Sequence, residues 1–318
     1  LRAPTRLAAP GRPLNRESAN VRLVMSALLM CFSLACASFA SAPEPESVNL
    51  AIADPVGTEL RYTYEYNETS VRTTPGEPAR RGGADHSLGI NVKLTRRDEN
   101  GGSAEVSLYW YATAATSSAG RKIGFDSSSP RANAVSAPLA EEIAPLLNKP
   151  VTIHFDAGGA ILDVSGVETL QRTQFTDKLI TELFSLSAMR RKVGPILGCA
   201  RVPAQVTLGD TWMVSDTIPL TLRFSMDIEV KRKLARIAGE TAVVEDSSQI
   251  LIAPVDADAP VIAVLDNGTG AGSIAWNIKQ GRLGSFEAHH RMLISYTVDG
   301  GDPQTMNVMV QESLRPAN

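Results

Sequence analysis

Hydrophobic and polar residues alternate along much of this chain. From Leu60 onward, one face carries Leu60, Tyr62, Tyr64 and Tyr66, with polar residues between them. This two-residue period is typical of a β-strand that buries one face, and aromatic and β-branched residues favour strands further. Similar runs occur at residues 88–94, 104–110, 151–155, 220–230, 274–278, 286–298 and 306–310.

Turn-forming residues separate many of these runs. Asn100-Gly101-Gly102, Asp156-Ala157-Gly158-Gly159 and Gln280-Gly281 each lie between two alternating segments. Short connections of this kind join antiparallel strands. Two longer polar segments, 71–84 and 116–135, are rich in Gly, Pro, Ser or Arg and lack apolar periodicity, so they are predicted to be loops.

Two segments in the middle of the chain have helical periodicity instead. A short helix is predicted near residues 138–145, with a proline at its start and a second proline that ends or kinks it. A long helix is predicted over 166–192, where Ser165 and Glu168 have the spacing of a capping box and Gly194-Pro195 is expected to stop it. Its apolar stripe consists of Leu170, Phe175, Leu179, Ile180, Leu183, Leu186 and Met189.

Together these patterns predict an α+β protein. Its main feature is a large, mostly antiparallel β-sheet, curved or two-lobed, with one long and one short helix in the middle of the chain. Residues 43–56, rich in Pro and Glu, are predicted to be a flexible leader. Residues 57–315 are predicted to form a single β-rich domain, and an alternative division has two lobes, 57–165 and 200–315, joined by the helix 166–192.

An apolar segment near the N-terminus predicts export. The stretch Leu23–Ala42 contains no charged residue, and five arginines precede it. A basic start, an apolar centre and a small-residue end are typical of a secretory signal peptide, so residues 1–42 are assigned to one and the protein is expected in the periplasm or cell envelope. Three outcomes stay open: soluble export after cleavage at Ala40, lipidation of Cys36 in a lipobox-like segment, or an uncleaved membrane anchor.

Charge and cysteine content restrict the class of protein further. The predicted signal holds five of the 31 basic side chains and one of the 34 acidic ones, so the exported part is acidic. An acidic protein lacks the positive surface that binds nucleic acid. Cys31 and Cys36 lie in the signal, so Cys199 has no intrachain disulfide partner and is predicted to be a small buried residue.

Several motifs occur in an order that resembles a known family. They are an opening Leu60-Arg61-Tyr62 strand, a Phe155-Asp156-x-x-Gly159 hairpin, a Gly209-Asp210-Thr211-Trp212 segment and a late hairpin at Trp276 and Gly281-Arg282-Leu283. In this order they resemble an uncharacterised family of exported bacterial proteins and lipoproteins with a Gly-Asp-Ser/Thr-Trp segment. The resemblance spans about residues 57–300 and implies a bacterial cell-envelope setting, without implying an activity or catalytic residues.

Candidate chemistry is sparse. Adjacent His289 and His290 point to opposite faces of a strand and do not suit one metal ion, and His290 is predicted to be a satisfied core histidine. His154 and Asp156 lie on one face, where they are interpreted either as an acid–base pair or as a turn contact. The sequence contains no nucleophile elbow, zinc-protease helix or P-loop motif, so no catalytic residue, metal site or cofactor is predicted.

A few aromatic and acidic residues are candidate contacts for a ligand or partner. Tyr62, Tyr64 and Tyr66 combine an apolar body with a polar tip, which suits a groove, and core packing at a sheet edge is the alternative. Asp210 and Trp212 follow a glycine, where they either face a ligand or form an Asx turn with an anchoring tryptophan.

The leading hypothesis is a non-catalytic exported envelope protein that binds an apolar ligand, such as a lipid, or a protein partner. The export signal, the apolar alternating strands and the lack of a catalytic motif support it. One alternative is a hydrolase that uses His154, Asp156 or His289. The other is a purely structural envelope protein, in which membrane contact occurs only through the signal or a lipid anchor.

Overall fold

The computed structural model describes residues 47–116, 122–129, 137–170, 180–199, 205–219, 224–254, 261–298 and 302–317. These residues form fourteen β-strands, most of them long. The strands are β1 (Ser47–Asn49), β2 (Glu59–Thr73), β3 (Arg80–Asp98), β4 (Gly101–Thr116), β5 (Lys122–Asp126), β6 (Val151–Asp156), β7 (Ile161–Ser165), β8 (Gln205–Thr207), β9 (Thr211–Pro219), β10 (Phe224–Ala238), β11 (Thr241–Pro254), β12 (Val261–Asn277), β13 (Arg282–Val298) and β14 (Gln304–Pro316).

Twelve of these strands form one open sheet. Its order is β7-β6-β4-β3-β2-β14-β13-β12-β11-β10-β9, and β5 pairs with β4. The ladders between neighbouring strands are antiparallel, as the short turns predict, and β1 and β8 form a separate two-stranded sheet. The described residues are therefore mostly antiparallel β with few short helices, which confirms the β-rich part of the predicted class.

Strand β2, the first strand of the large sheet along the chain, and β14, the last, are neighbours in the centre of the sheet. β2 pairs with β14 over twelve residue pairs, with Tyr64 opposite Leu314. Strands from both halves of the chain consequently belong to one continuous sheet. Strand β2 lies between β3 and β14 rather than at a sheet edge, so its tyrosines are central to the fold.

The first helical segment agrees with its prediction. Helix α1 (Ala137–Ile143) is followed by a 3₁₀ turn at Ala144–Leu146, in which Pro145 occupies an early position. Ile143 is 1% exposed and Leu146 is fully buried. The apolar side of this segment thus packs into the core, and the proline ends the α-helix because it cannot supply the next backbone donor.

The single long helix predicted over 166–192 is wrong. A 3₁₀ turn at Val167–Thr169 begins after Gly166, which has a positive φ of 84°, and no side chain caps it, so the predicted Ser165–Glu168 capping box does not form. Residues 171–179 lie outside the described part of the chain. The remaining helical pieces are residues 180–184, α2 (Leu186–Lys192) and α3 (Gly194–Leu197).

The chain breaks between these pieces at identifiable residues. Ser185 is extended, and its hydroxyl accepts a hydrogen bond from the backbone N–H of Ala188 at 3.3 Å, which caps α2. Gly194-Pro195 begins α3 instead of stopping a helix, since proline is well tolerated in the first turn, where no backbone donor is required.

The loop predicted at 71–84 is also wrong. β2 extends to Thr73 and β3 starts at Arg80, so only six residues connect them. Ser70 lies opposite Gly82 in this part of the ladder. Backbone hydrogen bonds continue the strand pairing in this region, but most of the side chains are at least partly exposed. The sequence here therefore lacks the alternation of apolar residues from which a strand would be predicted.

The flexible leader predicted at 43–56 is wrong for residues 47–52. β1 pairs with β8, and Leu50 and Ile52, which follow β1, are 0% and 1% exposed. Val48, Leu50 and Ile52 alternate with other residues, which is a short strand pattern. It was not recognised because it directly follows the Pro- and Glu-rich residues. Residues 43–46 lie outside the described part, as do the predicted signal 1–42 and Cys36.

A β-bulge changes which residues of β4 face inward. Ile90 pairs with Leu108 but Gly89 pairs with Trp110, so Tyr109 is the extra residue. Trp110 therefore turns outward, contrary to its predicted place in the inward run, and its Nε1 donates to Asp126 Oδ1 at 2.8 Å. A Cβ at Gly89 would collide with the Tyr109 ring, which accounts for a glycine there.

The main core lies where the helices and the small sheet pack against one face of the large sheet, here called the helix-side face. Tyr62 and Tyr64 are each 1% exposed, and Trp276 and Leu314 are fully buried. Cys199 is also fully buried, which confirms its predicted role, and burial raises the pKa of its thiol to about 12. Among the described residues, no helix has the length and apolar character needed to span a bilayer.

Candidate ligand site between helix and sheet

Strand pairing places a row of mostly polar residues, here called the polar row, across the helix-side face. Each member is the cross-strand partner of the next. The polar row consists of Arg232, Asp246, Gly272, Ala288, Glu312, Tyr66, His86 and Thr113. Two residues further along each strand, on the same face, the corresponding row is almost entirely apolar and consists of Leu234, Val244, Ile274, Phe286, Leu314, Tyr64 and Leu88.

The sheet curls far enough for its two edge strands to line one cavity. Ile161 and Leu162 of β7 and Met213 and Val214 of β9 border the same space, although β7 and β9 are at opposite ends of the strand order. The cavity has a volume of about 430 Å³. Helix α2 contacts both edge strands, and α3 contacts β13, so the helical segment forms the remaining wall.

The walls of this cavity are mainly apolar, with a smaller number of polar side chains among them. Apolar lining comes from Ile161, Pro195, Val214, Ile228, Val230 and Phe286. Polar lining comes from Asp156, Arg190, Arg191, Ser215, Arg232, Asp246, Ser248, His290 and Glu312. Apolar walls with a few converging polar groups are the usual composition of a small-molecule binding site.

Arg232 is held in place at one end of the polar row. Its Nη1 donates to the carbonyl oxygen of Cys199 at 3.1 Å, and its Nε lies 3.4 Å from both carboxylate oxygens of Asp246. Trp212 Nε1 donates to the same Cys199 carbonyl at 3.1 Å. Burial raises the pKa of Asp246, while the neighbouring Arg232 charge opposes that effect.

Ser248 and His290 meet across a strand that lies between them. Ser248 on β11 and His290 on β13 both pair with Gly270 of β12, and Ser248 Oγ lies 3.3 Å from His290 Nδ1. A Cβ on Gly270 would overlap both atoms, so only glycine permits this contact. Burial lowers the pKa of His290, against the opposing charge of Glu312, so the imidazole is neutral at neutral pH.

Glu312 lies in the centre of the polar row and is only 5% exposed. The Tyr64 hydroxyl donates to Glu312 Oε2 at 2.8 Å, and Arg191 Nε from α2 lies 3.8 Å from the same oxygen. A buried carboxylate requires such partners, because its desolvation is otherwise costly. Burial, followed by the charge of Glu312, raises the pKa of Tyr64 well above its usual value.

A second, smaller cavity of about 300 Å³ lies on the other side of α2. Tyr64, Tyr66 and His86 line it, together with Lys192. Lys192 is 6% exposed, and its Nζ donates to the carbonyl oxygen of Glu182 at 2.7 Å. Burial, and next the charge of Arg191, lowers the pKa of Lys192 to about 7. This cavity is more polar than the first and has no comparable apolar wall.

The three candidate tyrosines are mainly core residues. The Tyr62 hydroxyl donates to the Leu283 carbonyl at 3.2 Å, and Tyr66 donates to Glu68 Oε2 at 2.7 Å. Tyr64 and Tyr66 line the second cavity, whereas Tyr62 lines neither of the two cavities described above. A ligand role for them remains a prediction.

Asp210 and Trp212 occupy structural positions. Asp210 Oδ2 accepts a hydrogen bond from the Thr207 backbone at 2.9 Å, closing the turn after β8, and Asp210 is exposed. Trp212 packs against the core and is fixed by Cys199. Both positions match the turn-and-anchor interpretation, and neither residue lines the first cavity.

The residues of the hydrolase hypothesis do not converge. His154 and His289 are exposed, and Asp156 Oδ1 accepts hydrogen bonds from the backbones of Gly158 and Ala160, each at 2.9 Å. Asp156 therefore forms a turn, and His154 lies opposite Asp163 in the β6–β7 ladder. Among the described residues, no group of three or more His, Cys, Asp or Glu side chains is arranged to hold a metal ion.

Sequence reasoning missed four residues of the cavity: Arg232, Asp246, Ser248 and Glu312. The feature of the sequence that could have identified them is their position. Each lies at an inward-facing position of an alternating strand, as Glu312 does between Val310 and Leu314. The pattern was interpreted as ending at Val230 and Val310, where the first charges interrupt the apolar run. A polar residue at an inward-facing position of a long strand is therefore the sequence feature that could have indicated the site.

No protein-family model and no curated protein matches the chain. Among solved structures, the chain is similar to lipovitellin in a structure concerning lipid–protein interactions, with 11% identity, 83% of this chain and 25% of that chain covered, and a TM-score of 0.45. The chain thus spans a quarter of the lipovitellin chain.

Two further similarities cover most of both chains. DynF from the dynemicin biosynthesis pathway of Micromonospora chersina is 8% identical, with 87% of this chain and 86% of that chain covered and a TM-score of 0.24. An outer membrane channel from Pseudomonas putida F1 is 10% identical, with 83% and 97% covered and a TM-score of 0.20. No functional conclusion follows from similarities as low as these.

Proposed function

We propose that this protein is a non-catalytic protein of the bacterial cell envelope that binds an apolar ligand in the cavity between α2 and the sheet. The cavity itself is the observation that carries the proposal. Its volume of about 430 Å³ lies within the roughly 300–1,000 Å³ typical of small-molecule sites, and both sheet edges contribute apolar walls.

The envelope setting is supported by the predicted signal peptide and by the family resemblance. A small apolar ligand is favoured over a protein partner because the apolar lining residues face the interior of a curled sheet. Side chains in such a position are reached by a molecule that enters the cavity and not by a flat partner surface.

A fluorescence assay with the neutral apolar probe N-phenyl-1-naphthylamine tests this proposal on the full-length exported protein. We expect saturable binding that Val214→Trp weakens strongly, because Val214 is a partly buried wall residue at the open sheet edge. Val243→Trp is the matched control, since Val243 lies one residue before the inward Val244 and so faces the other side of β11. Absence of saturable binding, or equal effects of the two substitutions, would overturn the proposal.

The non-catalytic part is tested separately. The Ser248–His290 contact is the nearest approach to a nucleophile and base in the cavity, at 3.3 Å. We expect no turnover of p-nitrophenyl esters of short and long acyl chains above a buffer control. Hydrolysis that disappears in Ser248→Ala would show that the protein is an enzyme after all.

A further inference from the structure

Three polar side chains of the cavity, Asp246, Ser248 and His290, form a compact patch on its sheet side. Asp246 and Ser248 on β11 are followed across β12 by Gly272 and Gly270, which carry no side chains. His290 on β13 completes the patch through its contact with Ser248. The Ser248 and His290 side chains occupy the space above Gly270, and Asp246, Ser248 and His290 all line the cavity.

One acceptor in this patch has no hydrogen-bond donor. The Asp246 side chain is 9% exposed, and Arg232 Nε donates to its Oδ2. Its Oδ1 is buried and accepts no hydrogen bond, although Arg232 Nε lies 3.4 Å away. Asp246 lines the cavity. Buried polar atoms are almost always hydrogen-bonded, so the unmatched oxygen of this carboxylate points to a donor on a bound molecule.

The charges around this acceptor are already balanced. Arg232 pairs with Asp246, and Arg191 pairs with Glu312 at 3.8 Å. A free carboxylate or phosphate on the ligand would be repelled by Asp246 at close range. A protonated amine would be repelled by Arg232, only 3.4 Å from Asp246. A neutral donor satisfies Oδ1 without either cost.

We propose, building on the function proposed above, that the bound apolar molecule carries a hydroxyl group, as a long-chain or cyclic alcohol does. This hydroxyl donates to Asp246 Oδ1 and lies beside Ser248 Oγ. The apolar part of the molecule then lies against Val230 and Ile228, which belong to the same strand as Arg232 and line the same cavity. Asp246 and Ser248 are thus the residues that determine ligand specificity.

Displacement of N-phenyl-1-naphthylamine by matched twelve-carbon compounds tests this inference. The set is 1-dodecanol, dodecyl methyl ether, which accepts but cannot donate a hydrogen bond, dodecanoate and dodecylamine. We expect wild-type protein to prefer the alcohol over the ether by about tenfold or more, the effect of one hydrogen bond to a charged group. The acid and the amine are expected to displace the probe less well than the alcohol.

Two variants locate the donor-binding atoms. Asp246→Asn is expected to remove most of the alcohol-over-ether preference, and Ser248→Ala to reduce it, each preference being measured relative to that variant's own affinity for the probe. Glu245→Gln and Ser247→Ala are matched controls, because these exposed neighbours face the other side of β11. Circular dichroism establishes that each variant is folded, and Ser248→Ala provides the test if Asp246→Asn fails to fold.

The outcomes separate the two proposals. Probe binding with equal affinity for alcohol and ether would overturn this inference and leave the proposed function standing. Stronger displacement by dodecanoate or dodecylamine would overturn it in favour of a charged head group. Failure of the probe itself to bind would overturn the proposed function, on which this inference depends.

Discussion

The same strands build the core and the candidate site, and only two residues along each strand separate them. The apolar row through Val244, Ile274 and Leu314 is fully buried. The polar row through Arg232, Asp246 and Glu312 lies on the same face but lines a cavity. The comparison shows that an inward position on a strand does not by itself define the core, because residues of the same face line a cavity two positions away along the strand.

The two rows also differ in the energetic effect of burial. In the apolar row, burial stabilises by removing apolar area from water, at roughly 25 cal/mol per Å². In the polar row, burial carries a desolvation cost that ion pairs and hydrogen bonds offset, as between Tyr64 and Glu312. Substitutions in the two rows should therefore affect different quantities, stability in the first and binding in the second.

The largest effect is expected from Trp276→Ala. Trp276 is fully buried in the core, and removal of so large a side chain should lower the free energy of unfolding by about 3–5 kcal/mol. Urea unfolding measures this. Ser248→Ala, in the wall of the cavity, should lower the free energy of unfolding by only about 1 kcal/mol. A Trp276→Ala variant as stable as Ser248→Ala would contradict the division into core and site.

An intermediate effect is expected from Lys192→Met, which should change how the stability of the protein depends on pH. The pKa of Lys192 is lowered to about 7, with Arg191 adding to burial and with Glu312 and Glu182 opposing. The unfolded chain keeps this proton up to about pH 10, so between about pH 7 and pH 10 the unfolded state binds more protons and stability should rise with pH.

Urea midpoints measured across that range test the effect. Lys192→Met should flatten the rise because methionine has no proton to bind. Lys279→Met is the control, since Lys279 is exposed and pairs with Glu240 at the surface, and it should keep the rise. A wild-type slope in Lys192→Met would show that Lys192 stays charged in the folded protein.

The smallest effect is expected from Asp210→Ala. This exposed residue closes a turn with one hydrogen bond to Thr207, so its loss should cost about 0.5–1.5 kcal/mol of stability. Binding of the apolar probe should not change, because Asp210 does not line the cavity. A change in probe affinity without a change in stability would restore Asp210 as a ligand contact.

Much of the sheet was predictable from the chain alone. Alternation gave the inward faces of β2, β6 and β13. Asn100-Gly101 and Gln280-Gly281 gave the turns between β3 and β4 and between β12 and β13. Two-residue periodicity and turn chemistry are local properties. The predicted core positions of Tyr62, Tyr64 and Cys199 depended on the same local reasoning. The bulge at Tyr109 and the pairing of Ser70 with Gly82 were not marked by apolar periodicity, and both escaped prediction.

The site shows the limit of such reasoning most clearly. His290 was predicted to be a satisfied core histidine. Its contact with Ser248 agrees, but it is half-buried and lines the cavity. Its partner is 42 residues away on a strand that is not adjacent, and the contact exists only because Gly270 lies between them. No spacing in the chain reports a contact of this kind.

The sequence by itself determined where most of the long strands lie, which faces of those strands are apolar, and that residues 1–42 have the pattern of an export signal. Those properties follow from side-chain chemistry over a few neighbouring residues. Only the tertiary structure decided that β2 pairs with β14, that the sheet curls until β7 and β9 share a cavity, and that Arg232, Asp246 and Glu312 converge there. The physical reason is that strand order and curvature depend on contacts between residues far apart in the chain, whose energies become favourable only once the whole sheet has formed.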